Sequence, residues 1–154
     1  MIVVRSILHN LAVTAVAFLV ALVGAGLDRL FKIGEFRSPP AAVVGALLMC
    51  IGFLIRLWAT SCFYRNGMKV ISTVPQGTLV TSGPFRYSRN PLYLGGNVFM
   101  FFGAGLMLGS PAALVITALH LPLVDLFIRR EEKQLGQRFG EDWVRYSQSV
   151  RRWI

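Results

Sequence analysis

A segment with two arginines leads into one of the apolar stretches of the chain. It covers residues 79–95 and has the sequence LVTSGPFRYSRNPLYLG. Asn90 followed by Pro91 predicts the start of a helix, since proline suits the first helical turn. A helix start flanked by Arg86 and Arg89 is suited to binding a carboxylate or a phosphate. The alternative is structural, with the arginines marking membrane topology and Asn90 serving only as an N-cap.

Two adjacent carboxylates, Glu131 and Glu132, follow another apolar stretch after the pair Arg129 and Arg130. At a membrane boundary each carboxylate needs water or a cation, so at least one of them is a candidate to bind a cationic group such as an ammonium. The alternative is local pairing along a helix, because Asp125 lies four residues before Arg129, and Arg129 three residues before Glu132.

Ionisable residues also occur within or near the apolar stretches. Placing the charges of Arg56 and Asp125 in an apolar environment costs free energy. Two interpretations stay open: the two residues pair with each other, or they line a substrate cavity. His9 and His120 stand alone, far from either cysteine, so the sequence predicts no metal site and no disulfide framework.

The apolar stretches themselves predict an all-α integral membrane bundle of about four transmembrane helices in a single domain. The chain has 154 residues, of which 55% are hydrophobic. Stretches of this length and composition can cross ~30 Å of hydrocarbon, and the first is longer than a cleaved signal core. The short turn at 109–111 makes the last two spans an antiparallel hairpin. The predicted spans are 7–27, 41–64, 91–108 and 112–128.

Basic residues concentrate in the predicted loop at 65–90 and in the tail at 129–154. By the positive-inside rule this places both segments, both termini and the site between them in the cytoplasm, with the spans in a bacterial-type inner membrane. The tail is predicted to be helical, broken near Gly140, and to lie on the membrane surface or cap the mouth of the bundle. The apolar stripe of the tail comprises Leu135, Phe139, Trp143 and Tyr146.

The net charge of +9 does not indicate nucleic acid, because the sequence holds no nucleic-acid module. Glycines in the third span are interpreted as sites of close helix packing rather than of cofactor binding. These glycines are Gly95, Gly96, Gly103 and Gly105.

From Gly52 to Ile154 the chain resembles the isoprenylcysteine carboxyl methyltransferase and phospholipid methyltransferase superfamily of membrane enzymes. The resemblance rests on LIRLWA in the second span, on LVTSGPFRYSRNPLYLG, and on RREE followed by FGEDW and VRRWI. Asn90 stands where the carboxyl methyltransferases commonly have histidine, as in the phosphatidylethanolamine branch, whose upstream Gly-x-Gly motif is not evident here.

The resemblance implies a pocket for S-adenosylmethionine at the cytoplasmic mouth. Within that pocket we expect Glu132, rather than Glu131, to hold the cofactor's ammonium. Arg89 or the first N–H groups of the third span would lie near its carboxylate, and Tyr87 and Tyr93 would hold the adenine together with apolar walls. The remaining residues of the implied pocket are Asn90, Pro91, Leu94 and Gly95.

The function predicted on this basis is methyl transfer to a lipid-like or hydrophobic acceptor. Arg56 or Arg89 would orient an acceptor carboxylate, and Glu131 or Asp125 would act as base for an amine. Two alternatives stay open: a membrane NADPH-dependent reductase of the sterol-reductase type, and a non-enzymatic four-helix membrane protein. The sequence leaves the oligomeric state undetermined.

Overall fold

A computed structural model describes residues 2–70 and 77–154 of the chain. The described residues form helices and connecting turns, without strands. Four helices are long and apolar enough to span a membrane, which confirms the predicted all-α membrane bundle. They are α1 (Ile2–Leu30), α2 (Pro39–Arg65), α3 (Pro91–Leu108) and α4 (Pro111–Phe139), and a fifth, short helix, α5 (Glu141–Ser149), follows them.

Proline and glycine set the helix boundaries. Helices α2, α3 and α4 each have proline in their first turn, where a missing N–H costs nothing. Gly109 ends α3 in the left-handed conformation, with φ of 61°. The charged residues after Ile128 are good helix formers, so α4 runs on past the predicted end of the span until Gly140.

The chain reverses between α3 and α4 at a clasp formed by Asp28, Ser110 and Ala112. Asp28, fully buried near the end of α1, accepts hydrogen bonds from the Ser110 hydroxyl and from the Ala112 N–H, the latter over 3.0 Å. The Ser110 oxygen in turn accepts from the Ala113 N–H. The clasp supplies partners to the first N–H groups of α4 and ties α4 to α1.

Glycines let α2 and α3 pack with their backbones in contact. A Cβ atom on Gly45 would lie 2.6 Å from the Gly103 carbonyl oxygen, and one on Gly95 would lie 2.7 Å from the Gly52 carbonyl oxygen. Gly95 and Gly103 therefore serve the close packing that the sequence predicts for them. Large apolar side chains cover the outer surface of the bundle, as expected for contact with lipid.

Helix α3 is irregular over Leu94–Met100, where its hydrogen bonds have the wider π-helical spacing. Such segments are frequent at functional sites, because they displace side chains and backbone from the regular helical register. This one directly follows the first turn of α3, Pro91–Tyr93.

Candidate functional site

A cavity of about 590 Å³ lies at the end of the bundle away from the clasp. Ligand pockets for small molecules commonly have this size. Its walls come from the early part of α1, the late part of α2, residues 68–70 and 78–80, the turn before α3, the start of α3, the late part of α4 and helix α5. Its polar and aromatic lining includes His9, Arg56, Phe85, Arg89, Asn90, Tyr93, Asn97, Glu131, Glu132, Trp143 and Tyr146.

The turn that precedes α3 is held against the last residues of the chain. The Arg89 N–H donates to the Arg151 carbonyl over 3.0 Å. The Ser88 hydroxyl and the Asn90 amide both donate to the Arg152 carbonyl, each over 3.2 Å. Asn90 occupies the N-cap position of α3 without capping it through its side chain. Its amide instead fixes the C-terminal segment.

Helix α5 closes one side of the cavity. The Tyr146 hydroxyl donates to the Phe85 carbonyl over 2.8 Å, and burial raises the pKa of Tyr146, so the phenol stays protonated and keeps this bond. Trp143 packs edge-on against Tyr146, and its ring lies 5.6 Å from the guanidinium carbon of Arg89. The predicted capping of the mouth by the tail therefore corresponds to contacts of α5 with the turn before α3.

Glu132 is already engaged by two guanidinium groups. Its side chain is 12% exposed, Arg152 donates to it through Nη2 over 2.6 Å and through Nε over 3.1 Å, and Arg89 Nη2 lies 3.6 Å away. The hydrogen bond to Glu132 raises the pKa of Arg152. Because both partners of Glu132 are cations of this chain, its carboxylate holds the side chains of Arg89 and Arg152 together.

Glu131 is differently placed. Within the described residues it accepts one hydrogen bond, from the Tyr93 hydroxyl to Oε2 over 3.1 Å. A carboxylate can accept several hydrogen bonds, so Oε1 stays available to a ligand in the cavity that Glu131 lines.

Among the described residues, one N–H group of the Arg89 side chain has no hydrogen-bond acceptor. This side chain is 14% exposed, and in the part of the chain that the structure describes its Nε is buried without a hydrogen-bond partner. Buried donors are normally satisfied, so this N–H fits an acceptor group supplied by a bound molecule.

Arg56 is buried inside the bundle, where it reaches three neutral acceptors. Nε donates to Asn10 Oδ1 over 3.0 Å, Nη1 to the Leu92 carbonyl over 2.7 Å, and Nη2 lies 3.2 Å from His9 Nε2. Asp125, the partner considered from the sequence, instead pairs with Arg129 over 2.6 Å and with Arg152 over 3.5 Å.

Most of the residues predicted for the site line one cavity, whereas Tyr87, Leu94, Gly95 and the candidate base Asp125 do not. Tyr87 is 69% exposed on the surface near Trp58. Leu94 is buried and Gly95 packs on α2, both outside the cavity lining. The residues that do line it are Arg56, Arg89, Asn90, Pro91, Tyr93, Glu131 and Glu132.

The sequence did not point to Trp143, Tyr146, Phe85 or His9 as site residues. The apolar stripe of the tail was the signal for Trp143 and Tyr146, since a helix that caps the mouth brings its apolar face to the cavity. No group of three or more His, Cys, Asp or Glu side chains is placed to hold a metal ion within residues 2–70 and 77–154.

The comparisons with known proteins give one family and one relative. The family model for phospholipid methyltransferases matches residues 40–142. The cobalt-zinc-cadmium resistance protein CzcN of Cupriavidus metallidurans is 34% identical over 109 residues, which are 70% of this chain and 46% of that protein. The chain thus matches about half the length of this relative. No solved structure matches the chain significantly.

Proposed function

Because the chain belongs to the phospholipid methyltransferase family, we propose that it transfers a methyl group from S-adenosylmethionine to a lipid-like or hydrophobic acceptor at the membrane boundary. The observation that carries the proposal is the meeting of Arg89 and Glu131 in one cavity. Arg89 there holds a buried N–H without a partner among the described residues, and Glu131 holds an available carboxylate oxygen.

The residues of the cavity fit both charged groups of the cofactor. Its carboxylate needs donors, which Arg89 Nε and the first turn of α3 supply. Its ammonium needs an anion, and Glu131 is the candidate, since Glu132 is paired with Arg89 and Arg152. Its adenine needs flat apolar surfaces, which the rings of Trp143, Tyr146 and Phe85 provide. When bound, the cofactor supplies a methyl group carried on a positively charged sulfur.

The protein's part in such a reaction is alignment and exclusion of water. Holding two reactants in line contributes ~7–11 kcal/mol to lowering a barrier. Helix α5 covers the cavity, and the hydrogen bonds of Ser88 and Asn90 to the last residues fix the turn that carries Arg89. A carboxylate acceptor needs no base. An amine acceptor must lose a proton, which would give Glu131 a second role as base besides holding the ammonium.

The proposal includes an orientation. The cavity end of the bundle carries four arginines, which are Arg65, Arg86, Arg129 and Arg130. By the positive-inside rule this end faces the cytoplasm, with the protein in a bacterial-type inner membrane. A fluorescent reporter that matures only in the cytoplasm, fused after Ile154, is expected to be bright in cells. A dark fusion after Ile154 together with a bright fusion after Phe36 would show the opposite orientation.

The direct test of the function is calorimetric titration of the detergent-purified protein. S-adenosylmethionine and S-adenosylhomocysteine are expected to bind saturably, and NADPH is expected not to bind. Binding of NADPH alone would assign the chain to the reductases. If none of the three ligands binds, the proposed methyltransferase activity is contradicted.

A further inference from the structure

Asn97 is the polar side chain of the irregular segment of α3. The segment Leu94–Met100 has the sequence LGGNVFM, and Asn97 stands at its centre. Tyr93 and Asn97 are four residues apart and both line the cavity, with Asn97 about 5 Å further from its mouth. An amide inside an apolar slab costs free energy unless its oxygen and its nitrogen both find hydrogen-bond partners.

The oxygen of the Asn97 amide has a partner on α4. His120 Nε2 lies 3.0 Å from Asn97 Oδ1, and an amide oxygen can only accept, so the imidazole donates through Nε2. The His120 ring is itself held by stacking on Phe101, with the ring centroids 6.0 Å apart and the ring planes at 15°. Because His120 and Phe101 do not line the cavity, the Asn97 amide is held from outside it.

The nitrogen of the Asn97 amide makes no hydrogen bond with the described residues. Apolar side chains of other helices line the cavity at a similar depth. Phe127 of α4 lies one turn deeper than Glu131, and Val13 of α1 lies one turn deeper than His9.

A hydrogen bond between two membrane helices often serves their packing alone. The contact of His120 with Asn97 Oδ1 would suffice for that purpose, and it would not require Asn97 to line a cavity. Polar groups away from water are normally satisfied, so the two remaining N–H groups of the amide fit an oxygen of a bound molecule. The cavity therefore offers an uncharged donor to a ligand at the depth of its apolar walls.

We propose that Asn97 determines specificity for the methyl acceptor by donating a hydrogen bond to an uncharged oxygen, of the carbonyl or ether type, within the acceptor's apolar part. His120 is a positioning residue, because it holds the amide oxygen and leaves the N–H groups to the ligand. The inference rests on the proposed function only in naming the ligand as the methyl acceptor. A ligand that extends from Tyr93 to Asn97 carries this oxygen about 5 Å below its polar end.

The test uses 2-tridecanone, an uncharged molecule with one carbonyl group on an apolar chain, added to the protein in maltoside detergent. A hydrogen bond lowers the stretching frequency of a carbonyl, so infrared spectra distinguish ketone bound at a donor from ketone dissolved in micelles. After subtraction of protein-free micelles, the wild type is expected to show a saturable low-frequency component. Asn97→Leu, which keeps the approximate size of the side chain and removes the amide, is expected to abolish this component.

Two further variants separate binding from packing. His120→Leu keeps the Asn97 amide and removes its partner, so the low-frequency component is expected to persist with lower intensity and greater width. The matched control is Asn66→Leu, which removes an exposed amide at the end of α2 outside the cavity and is expected to leave the spectrum unchanged. A purely structural tie between α3 and α4 would instead lower the melting temperatures of Asn97→Leu and His120→Leu without changing the carbonyl band.

Three outcomes would overturn the proposal. A wild type without a saturable low-frequency component would do so without any variant, which keeps the test decisive if Asn97→Leu does not fold. A component that persists in Asn97→Leu would do so too. Saturating S-adenosylhomocysteine is expected to leave the component in place, because Asn97 lies deeper than Arg89 and Glu131, and its loss would assign Asn97 to the cofactor. A component that depends on Asn97 in a protein that binds no adenosyl ligand would contradict the proposed function alone.

Discussion

Glu131→Gln is expected to weaken the binding of S-adenosylmethionine by a factor of roughly 10–100. The substitution keeps the shape of the side chain and removes the charge that would face the cofactor's ammonium. A hydrogen bond to a charged group contributes roughly 1.5–3 kcal/mol, and every 1.4 kcal/mol changes an affinity about tenfold. Titration calorimetry on the purified variant measures the loss directly.

Two comparisons make this result specific. Glu141→Gln removes a carboxylate from the exposed start of α5 and is expected to leave the affinity unchanged. Glu132→Gln is expected to lower the melting temperature as well as the affinity, because Arg89 and Arg152 lose their shared partner. If Glu131→Gln binds the cofactor like the wild type while Glu132→Gln keeps its melting temperature and loses binding, the two roles must be exchanged.

Arg152→Ala is expected to weaken S-adenosylhomocysteine binding about tenfold, although Arg152 is absent from the residues that line the cavity. Its carbonyl accepts from Ser88 and Asn90, while its guanidinium binds Glu132, so one residue joins the turn before α3 to α4. Without the guanidinium, Glu132 pulls Arg89 toward itself and away from a ligand. The change in affinity corresponds to the loss of about one charged hydrogen bond.

The neighbouring Arg151 provides the matched control, since its side chain is exposed and Arg151→Ala removes the same charge. Arg152→Lys keeps a cation near Glu132 and is expected to recover part of the affinity, which a purely structural role of the residue would not require. In a double-mutant cycle, Glu132→Gln and Arg152→Ala should be less than additive in their effect on affinity. Full additivity would contradict the proposed positioning role.

The architecture follows from features that are local in the sequence. Apolar length predicts four spans, and the prolines and Gly109 mark helix ends independently of tertiary contacts. The family resemblance is confirmed by the match over residues 40–142. The end of α4 could not be predicted from hydropathy. The apolar stretch ends at Ile128, whereas the helix continues through charged residues to Phe139.

The details of the site depend on contacts between residues far apart in sequence. Glu132 and Arg152 are separated by α5, and Tyr146 reaches back to Phe85, so neither pair follows from local spacing. Tyr87 was predicted for the site because it is close in sequence to Arg89, and the structure places it elsewhere. It is adjacent to the buried Ser88 and close to Arg89, yet the 3₁₀ turn at Gly83–Arg86 leaves its ring on the surface.

The clasp at Asp28 also has a mechanical consequence for the cavity. Helices α1 and α4 are pinned together there, and His9 lies about 28 Å away along α1 at 1.5 Å per residue. Near His9 the same helix is held a second time, because Asn10 donates to the Thr60 hydroxyl and accepts from Arg56. Helix α1 is therefore fastened to α4 near one membrane face and to α2 near the other, so the wall that it gives to the cavity is held at both ends.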